Sequence, residues 1–360
     1  MKNRFILFLI MLISLNTVSI AQESKLEDDV EKEETENTIA IDNPEYSVQP
    51  LRITDSIYMF KGKGGNVGVF VGKEGALVID SQFDKSAPKI FDMVSRFSDK
   101  DIKLLINTHH HGDHTGGNSY MHNRDILTIA QKNVRELMLA NERAKIQDEL
   151  DRRFLEVFEQ AKAKGATEEV ATDEAKRELQ NFEKREIQLP NLPKIVFERE
   201  LNLYFEEEDI RVFHINNAHT NGDAVVYFTS SNVMHTGDAF VNGKYPFIDQ
   251  KNGGTYRGYL AGLQKLLMLV NEDTKIIPGH GDLATKKDLK YAESMMRFII
   301  PRIQYHVVDG RTLEEVLALK ETKEYDAKGF GDGFISTKKF VTDLYNFFKE
   351  SYGNKARDNK

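Results

Sequence analysis

The chain has 360 residues, 40% of them hydrophobic and 29% charged, with a formal net charge of -8. That balance reads as globular, allows one large domain or two ordinary ones, and disfavours a surface that tracks nucleic-acid phosphates. The absence of cysteine excludes disulfides, a thiol nucleophile, a thiolate metal ligand and a lipidated cysteine.

At the N-terminus, Lys2 and Arg4 precede an apolar run from Phe5 to Val18, and small residues stand at Ser19 and Ala21. This is the pattern of a secretory signal peptide, residues 1–21, cleaved after Ala21. The expected location is therefore exported, periplasmic or secreted, with no stable membrane insertion after cleavage. The run is short of the ~20 residues a span needs, and an uncleaved membrane anchor is the alternative reading. Residues 22–50 are acidic and poor in large apolar side chains, which predicts a disordered linker.

From Leu51 the texture changes. "SIYMFKG", "NVGVFVG" and "GALVIDS" are short runs rich in β-branched and aromatic residues with glycines between them, which predicts an antiparallel meander. "SAPKIFDMVSRFSD" has helical spacing, with Ile90, Phe91, Val94 and Phe97 on one side. "IKLLINT" and "ILTIA" read as buried strands. Between Lys132 and Glu186 the chain is dense in Glu, Lys, Arg, Ala, Leu and Gln, with a break near "KGATEE". That predicts a helical-hairpin insertion, either a solvated decoration or a lid or partner-binding arm. Strands return at "KIVFERELNLYFEEEDIRVFHIN", "AVVYFTSSNVMHTG" and "KIIPG", with a helix over "YRGYLAGLQKLLMLV" and helices to the end. The expected organisation is α/β, with a main domain over 51–300, the insertion at 132–186, and a helical C-terminal extension over 301–360.

The first strand-to-loop junction with obvious chemistry is "INTHHHGDHTGGN". His109 and His111 stand at i and i+2 at a strand end, so their side chains can leave on one side. Asp113 and His114 follow on the Gly112 turn. Imidazoles and a carboxylate this dense are costly to bury unless something pairs with them. Four residues cannot complete two tetrahedral shells of N and O donors, and three further donors stand at later strand ends: His219 in "NNAHTNGDA", Asp238 in "MHTGDAF" and His280 in "IIPGHGD". One metal would then take His109, His111 and His219. The other would take Asp113, His114 and His280, with Asp238 bridging. His110 is read as pointing away from this shell, His235 as a packing or outer residue, and His122, His214 and His306 as structural or exposed.

The segment resembles the His-x-His-x-Asp-His motif of the metallo-β-lactamase superfamily, and His219, Asp238 and His280 resemble its later motifs. "ALVIDS" resembles its early motif, which implies that Asp80 supports the metal loop from beneath. The resemblance spans roughly Ser56 to Gly281 and implies an αββα sandwich. It also implies a dinuclear zinc-dependent hydrolase that uses a hydroxide between the metals on a small ester, thioester, lactone or amide, with Asp113 as ligand and proton relay. The superfamily's diiron members usually carry Glu where this chain has His111, which favours two Zn2+ ions over iron or manganese. A bridging Asp238 resembles the hydroxyacylglutathione hydrolase-like branch. β-Lactamase activity is an alternative, and a non-catalytic metal-holding module is an alternative of another class. The expected partner is a small-molecule substrate, not nucleic acid. Tyr245 and Phe247 in "YPFID" are candidate pocket residues, and the aromatic, glycine-rich "EYDAKGFGDGF" is a candidate to reach the site from the tail.

Overall fold

The computed structural model describes residues 44–186 and 191–357, so the expected signal peptide and most of the linker lie outside the described residues. Both sheets belong to one compact unit, Val48–Lys360. A 3-10 turn at Pro44–Tyr46 and strand β1 (Gln49–Arg52) both fall within or begin within the stretch 22–50 expected to be linker. No helix of the described residues is long and apolar enough to cross a membrane.

Two sheets stack face to face. The first runs β1, β2 (Ile57–Lys61), β3 (Val67–Val71), β4 (Ala76–Ile79), β5 (Ile102–Asn107), β6 (Leu127–Gln131), β7 (Ile195–Phe197) in spatial as in chain order. Its first four strands are antiparallel, and β4 to β7 are parallel. The second contains β8 (Glu200–Phe205), β9 (Glu208–His214), β10 (Ala224–Phe228), β11 (Val233–His235) and β12 (Lys275–Ile277) in the order β12-β11-β10-β9-β8. Here β8 to β11 are antiparallel and β11 pairs parallel with β12.

The layering follows from period-2 alternation. Leu77 and Ile79 of β4, Ile106 of β5, and Ala224, Val226 and Phe228 of β10 meet in the core between the sheets. Their neighbours Ala76, Val78 and Leu105 face the other way, against Ile90, Val94 and Met121. Those three come from α1 (Ala87–Ser95) and, beyond the one-turn helix α2 (Gly112–Thr115), from α3 (Asn118–His122). Full burial of each large aliphatic side chain is worth roughly 1.5–3 kcal/mol, which makes the alternation strongly directive. The αββα sandwich expected from the sequence is present.

The insertion is a helical hairpin, α4 (Lys132–Ala163) and α5 (Glu168–Glu186). It joins the sandwich at its root. There the Gln131 side chain caps α4 by accepting from the Asn133 backbone, and Asn133 Nδ2 donates to Asn221 O at 2.7 Å.

The boundary expected at residue 300 falls inside a helix. After α6 (Tyr256–Leu269), α7 (Lys286–Val308) runs through that point and is followed by α8 (Leu313–Leu319), α9 (Lys323–Asp326) and α10 (Thr337–Arg357). Ile299 and Ile303 of α7 and Phe340, Leu344 and Phe348 of α10 pack in one cluster with Val225 and Met234 of the second sheet. The expected helical tail is present and forms the outer layer of that sheet.

Candidate metal centre

The seven donors expected from the sequence converge at one rim of the sandwich. His109 and His111 follow β5, while Asp113 and His114 sit on α2, whose first turn is closed by His114 N donating to His111 O at 3.0 Å. His219 follows β9, Asp238 follows β11 and His280 follows β12. Ligands at the carboxyl ends of strands are what parallel pairs such as β4–β5 and β11–β12 favour. Donor atoms of His109, His111 and His219 lie within 4.8 Å of one another, as do those of Asp113, His114 and His280, and those of His109, His114 and Asp238.

The outer hydrogen bonds set which ring nitrogen faces inward. A carbonyl can only accept, so His219 Nδ1 carries the hydrogen that bonds Phe247 O at 2.7 Å, and Nε2 is left bare. His114 Nδ1 donates to Asp80 Oδ2 at 2.7 Å, which turns its Nε2 toward the cluster. Asp80 Oδ2 also accepts from Thr108 Oγ1 at 2.7 Å, and that hydroxyl oxygen can in turn accept from His109 Nδ1 at 3.1 Å. Among the described residues, His109 Nε2 and Asp238 Oδ1 are buried polar atoms without a hydrogen-bond partner. His219 Nε2 stands 2.9 Å from His111 Nδ1. Two imidazole lone pairs face each other there unless a proton or a metal cation stands between them. Imidazole nitrogens gathered around a buried carboxylate, one of them with no hydrogen-bond partner, are a donor set that suits a borderline cation such as zinc.

Asp238 holds the middle. Its Oδ1 lies 3.3 Å from His114 Nε2 and 3.5 Å from His280 Nε2, and its Oδ2 lies 3.6 Å from His219 Nε2. Burial opposes its charge, but His280, His114 and His219 hold it well below the usual carboxylate range. Burial likewise opposes ionisation of Asp113, and His114 and His280 bring it down to about 2. Burial pulls His114 down, yet Asp113, Asp238 and Asp80 together raise it well above an ordinary histidine. His280 is raised too, by Asp238 and Asp113 against burial. By contrast burial, reinforced by neighbouring histidines, holds His109 far below its ordinary value, and burial brings His219 down to about 4. His109 and His219 are therefore neutral imidazoles while His114 and His280 are charge-paired, and a cation would meet carboxylates already ionised.

Further residues complete the walls. Asp80 is fully buried at the end of β4, with φ 64°, and its Oδ1 accepts from Thr108 N at 2.8 Å. The loop after β2 closes over His114: a Cβ on Gly65 would stand 2.1 Å from His114 Cε1, so only glycine fits. Asn66 ties that loop to the His280 loop, its backbone N donating to Gly279 O at 2.8 Å and its Nδ2 to Pro278 O at 2.8 Å. His235 is buried with Nε2 3.1 Å from Asn66 O and Nδ1 accepting from Gly237 N at 3.2 Å, a packing role beside Asp238. His110 is also buried rather than turned to solvent, with its Nε2 3.8 Å from Asp249 Oδ2.

Phe247 lines the cluster, with its ring centroid 5.9 Å from those of His111 and His219. Phe334 from the tail meets Phe247 edge-on at 6.1 Å and is 87% exposed. Tyr245 does not line it. Its hydroxyl donates to Asp326 Oδ1 at 2.8 Å and its ring stacks on Phe340, so it anchors the tail. Four residues escape the sequence reading: Gly65, Asn66, Thr108, and Asp249, whose Oδ2 accepts from His111 Nε2 at 2.9 Å. The glycine-rich "KGKGGN" and the aspartate closing "YPFID" are the signals that could have flagged all but Thr108.

A family model described as the metallo-beta-lactamase superfamily matches residues 61–280, from the end of β2 to His280. No match is found among curated proteins. Among solved structures, the chain is similar to the crystal structure of DIM-1 metallo-beta-lactamase at 17% identity and a TM-score of 0.50, over 70% of this chain and 97% of that one. It is similar to a metallo-beta-lactamase from Pontibacter korlensis at 12% identity and a TM-score of 0.50, over 70% of this chain and 99% of that one. At such identities the likeness is one of fold.

Proposed function

We propose a hydrolytic function for this chain, which belongs to the metallo-beta-lactamase superfamily: a dinuclear zinc hydrolase acting on a small ester, thioester, lactone or amide. The observation that carries the reading is the convergence of seven N and O donors around Asp238, of which His109 Nε2 and Asp238 Oδ1 have no hydrogen-bond partner. His109, His111 and His219 would hold one ion and Asp113, His114 and His280 the other, with Asp238 shared. Two divalent ions held there would polarise a substrate carbonyl and lower the pKa of water. The side chains of Asp113 and His280 are 27% and 37% exposed, so solvent and substrate reach the cluster from their side. Asp113 Oδ2, 3.2 Å from His280 Nε2, is placed to accept and pass a proton at that open edge. A location outside the cytosol is part of the proposal and rests on the signal-like N-terminal residues. So is kinship with the hydroxyacylglutathione hydrolase-like branch, which rests on aspartate at position 238.

The test is a panel of substrates, an aryl ester, acyl lactone, thioester, lactam and phosphodiester, with metal content measured alongside. Turnover of one carbonyl class, lost with a chelator and restored by zinc, is the expected result. Two bound ions with no turnover on any member would favour a metal-holding module instead.

Phe247 and Phe334 offer an apolar wall beside the polar cluster, fitted to the acyl or aryl part of a substrate. Aromatic pairs contribute about 0.5–1.5 kcal/mol beyond area burial. Phe334→Ala is therefore expected to raise KM for a benzoyl ester by roughly two- to tenfold and to leave the acetyl ester of the same leaving group unchanged. Equal effects on both esters would remove Phe334 from the pocket.

A further inference from the structure

We propose that Asp249 is the positioning residue for the His109/His111/His219 ion position, fixing His111 in the tautomer that turns Nδ1 inward. The inference rests on the dinuclear reading above. His111 is the only member of that trio at 23% side-chain exposure, His219 being 1% exposed, so burial alone does not hold its ring. What faces its outer nitrogen is a carboxylate: Asp249 Oδ2, 2.9 Å from His111 Nε2. An ionised carboxylate accepts and cannot donate, so the hydrogen resides on Nε2 and the lone pair on Nδ1. That lone pair is the atom 2.9 Å from His219 Nε2, where an ion shared by the two rings would lie.

Asp249 is itself held. Its Oδ1 accepts from Asn252 N at 3.2 Å and its Oδ2 from Asn252 Nδ2 at 2.7 Å. Its backbone N donates to His219 O at 2.8 Å, and its carbonyl accepts from Gly254 N at 2.8 Å. Two residues earlier, Phe247 O takes the outer hydrogen of His219. One irregular segment, Phe247 to Gly254, therefore orients two imidazoles of one position. His110 does not compete for the carboxylate, because its Nε2 is 3.8 Å away, beyond hydrogen-bond reach. The other position draws its outer support elsewhere, from Asp80 to His114.

Residues that orient metal-bound histidines change affinity by roughly 10–100-fold when removed. Zinc titration of the metal-free protein by calorimetry is expected to show two binding steps. Asp249→Ala should weaken one step by about 10–100-fold and leave the other unchanged, and Asp249→Asn should lie between, since its amide oxygen can still accept. Nitrogen NMR of the metal-free wild type should show the His111 hydrogen on Nε2, and in Asp249→Ala a mixture of tautomers. Two unchanged steps, or two steps weakened alike, would overturn the assignment, the latter marking simple damage to the segment. A wild type that takes up no zinc would instead overturn the metal centre, and this assignment with it.

Discussion

Asp238→Ala is expected to lower turnover at saturating zinc by at least about a thousandfold, about 4 kcal/mol of transition-state stabilisation. The reason is its place. The carboxylate is 8% exposed, and three imidazole nitrogens from three different loops lie within 3.6 Å of its oxygens. It is the group common to both proposed positions, so alanine removes a donor from each and leaves His114 and His280 with one fewer counter-charge. Bound zinc should fall below two ions per chain in the same samples, measured by elemental analysis after gel filtration. Wild-type turnover in a variant carrying fewer than two ions would sink the dinuclear reading, whereas Asp238→Asn, which keeps the volume, separates loss of charge from loss of shape.

The second large effect is on stability. Asp80→Ala is expected to cost roughly 3–5 kcal/mol in chemical denaturation of the metal-free protein, the range for breaking a buried charged pair. Asp80 is fully buried and accepts from Thr108 N, Thr108 Oγ1 and His114 Nδ1. Alanine strands all three donors in the interior, and at φ 64° it also suffers a backbone strain that aspartate and asparagine bear better. Asp80→Asn should therefore fall between wild type and alanine. A loss under about 1 kcal/mol, the net worth of a single neutral hydrogen bond, would mean that His114 and Thr108 find other partners and that Asp80 is not the support of the site.

Much of this was legible in sequence for physical reasons. Strands β2 to β5 announce themselves because side chains alternate between two buried layers, and the seven donors announce themselves because each follows an apolar run. What was not legible depends on contacts distant in the chain. Asp249 lies 138 positions from His111, so nothing local links them. Gly65 is required by a ring that arrives from α2, and a glycine in "KGKGGN" looks like any turn. Tyr245 and Phe247, two apart, would share a side in a strand. The segment is irregular, and one ring goes to the tail while the other goes to the site. The boundary at 300 falls inside α7, whose apolar stripe continues past it, through Ile303, onto the same sheet as α10.

The donors come from loops after β5, β9, β11 and β12, which belong to two different sheets. An unfolded chain offers a local handful of donors in His109 to His114 but no complete shell. Tight capture of an ion therefore waits for the sheets to dock, which makes it a late event in the life of the chain. Divalent affinities for such N and O donors rise in a fixed order that ignores biological need, so geometry, ligand type and availability together decide which ion is taken. Were an ion held there, its identity would depend in part on the free-metal pool of the compartment in which the two sheets dock.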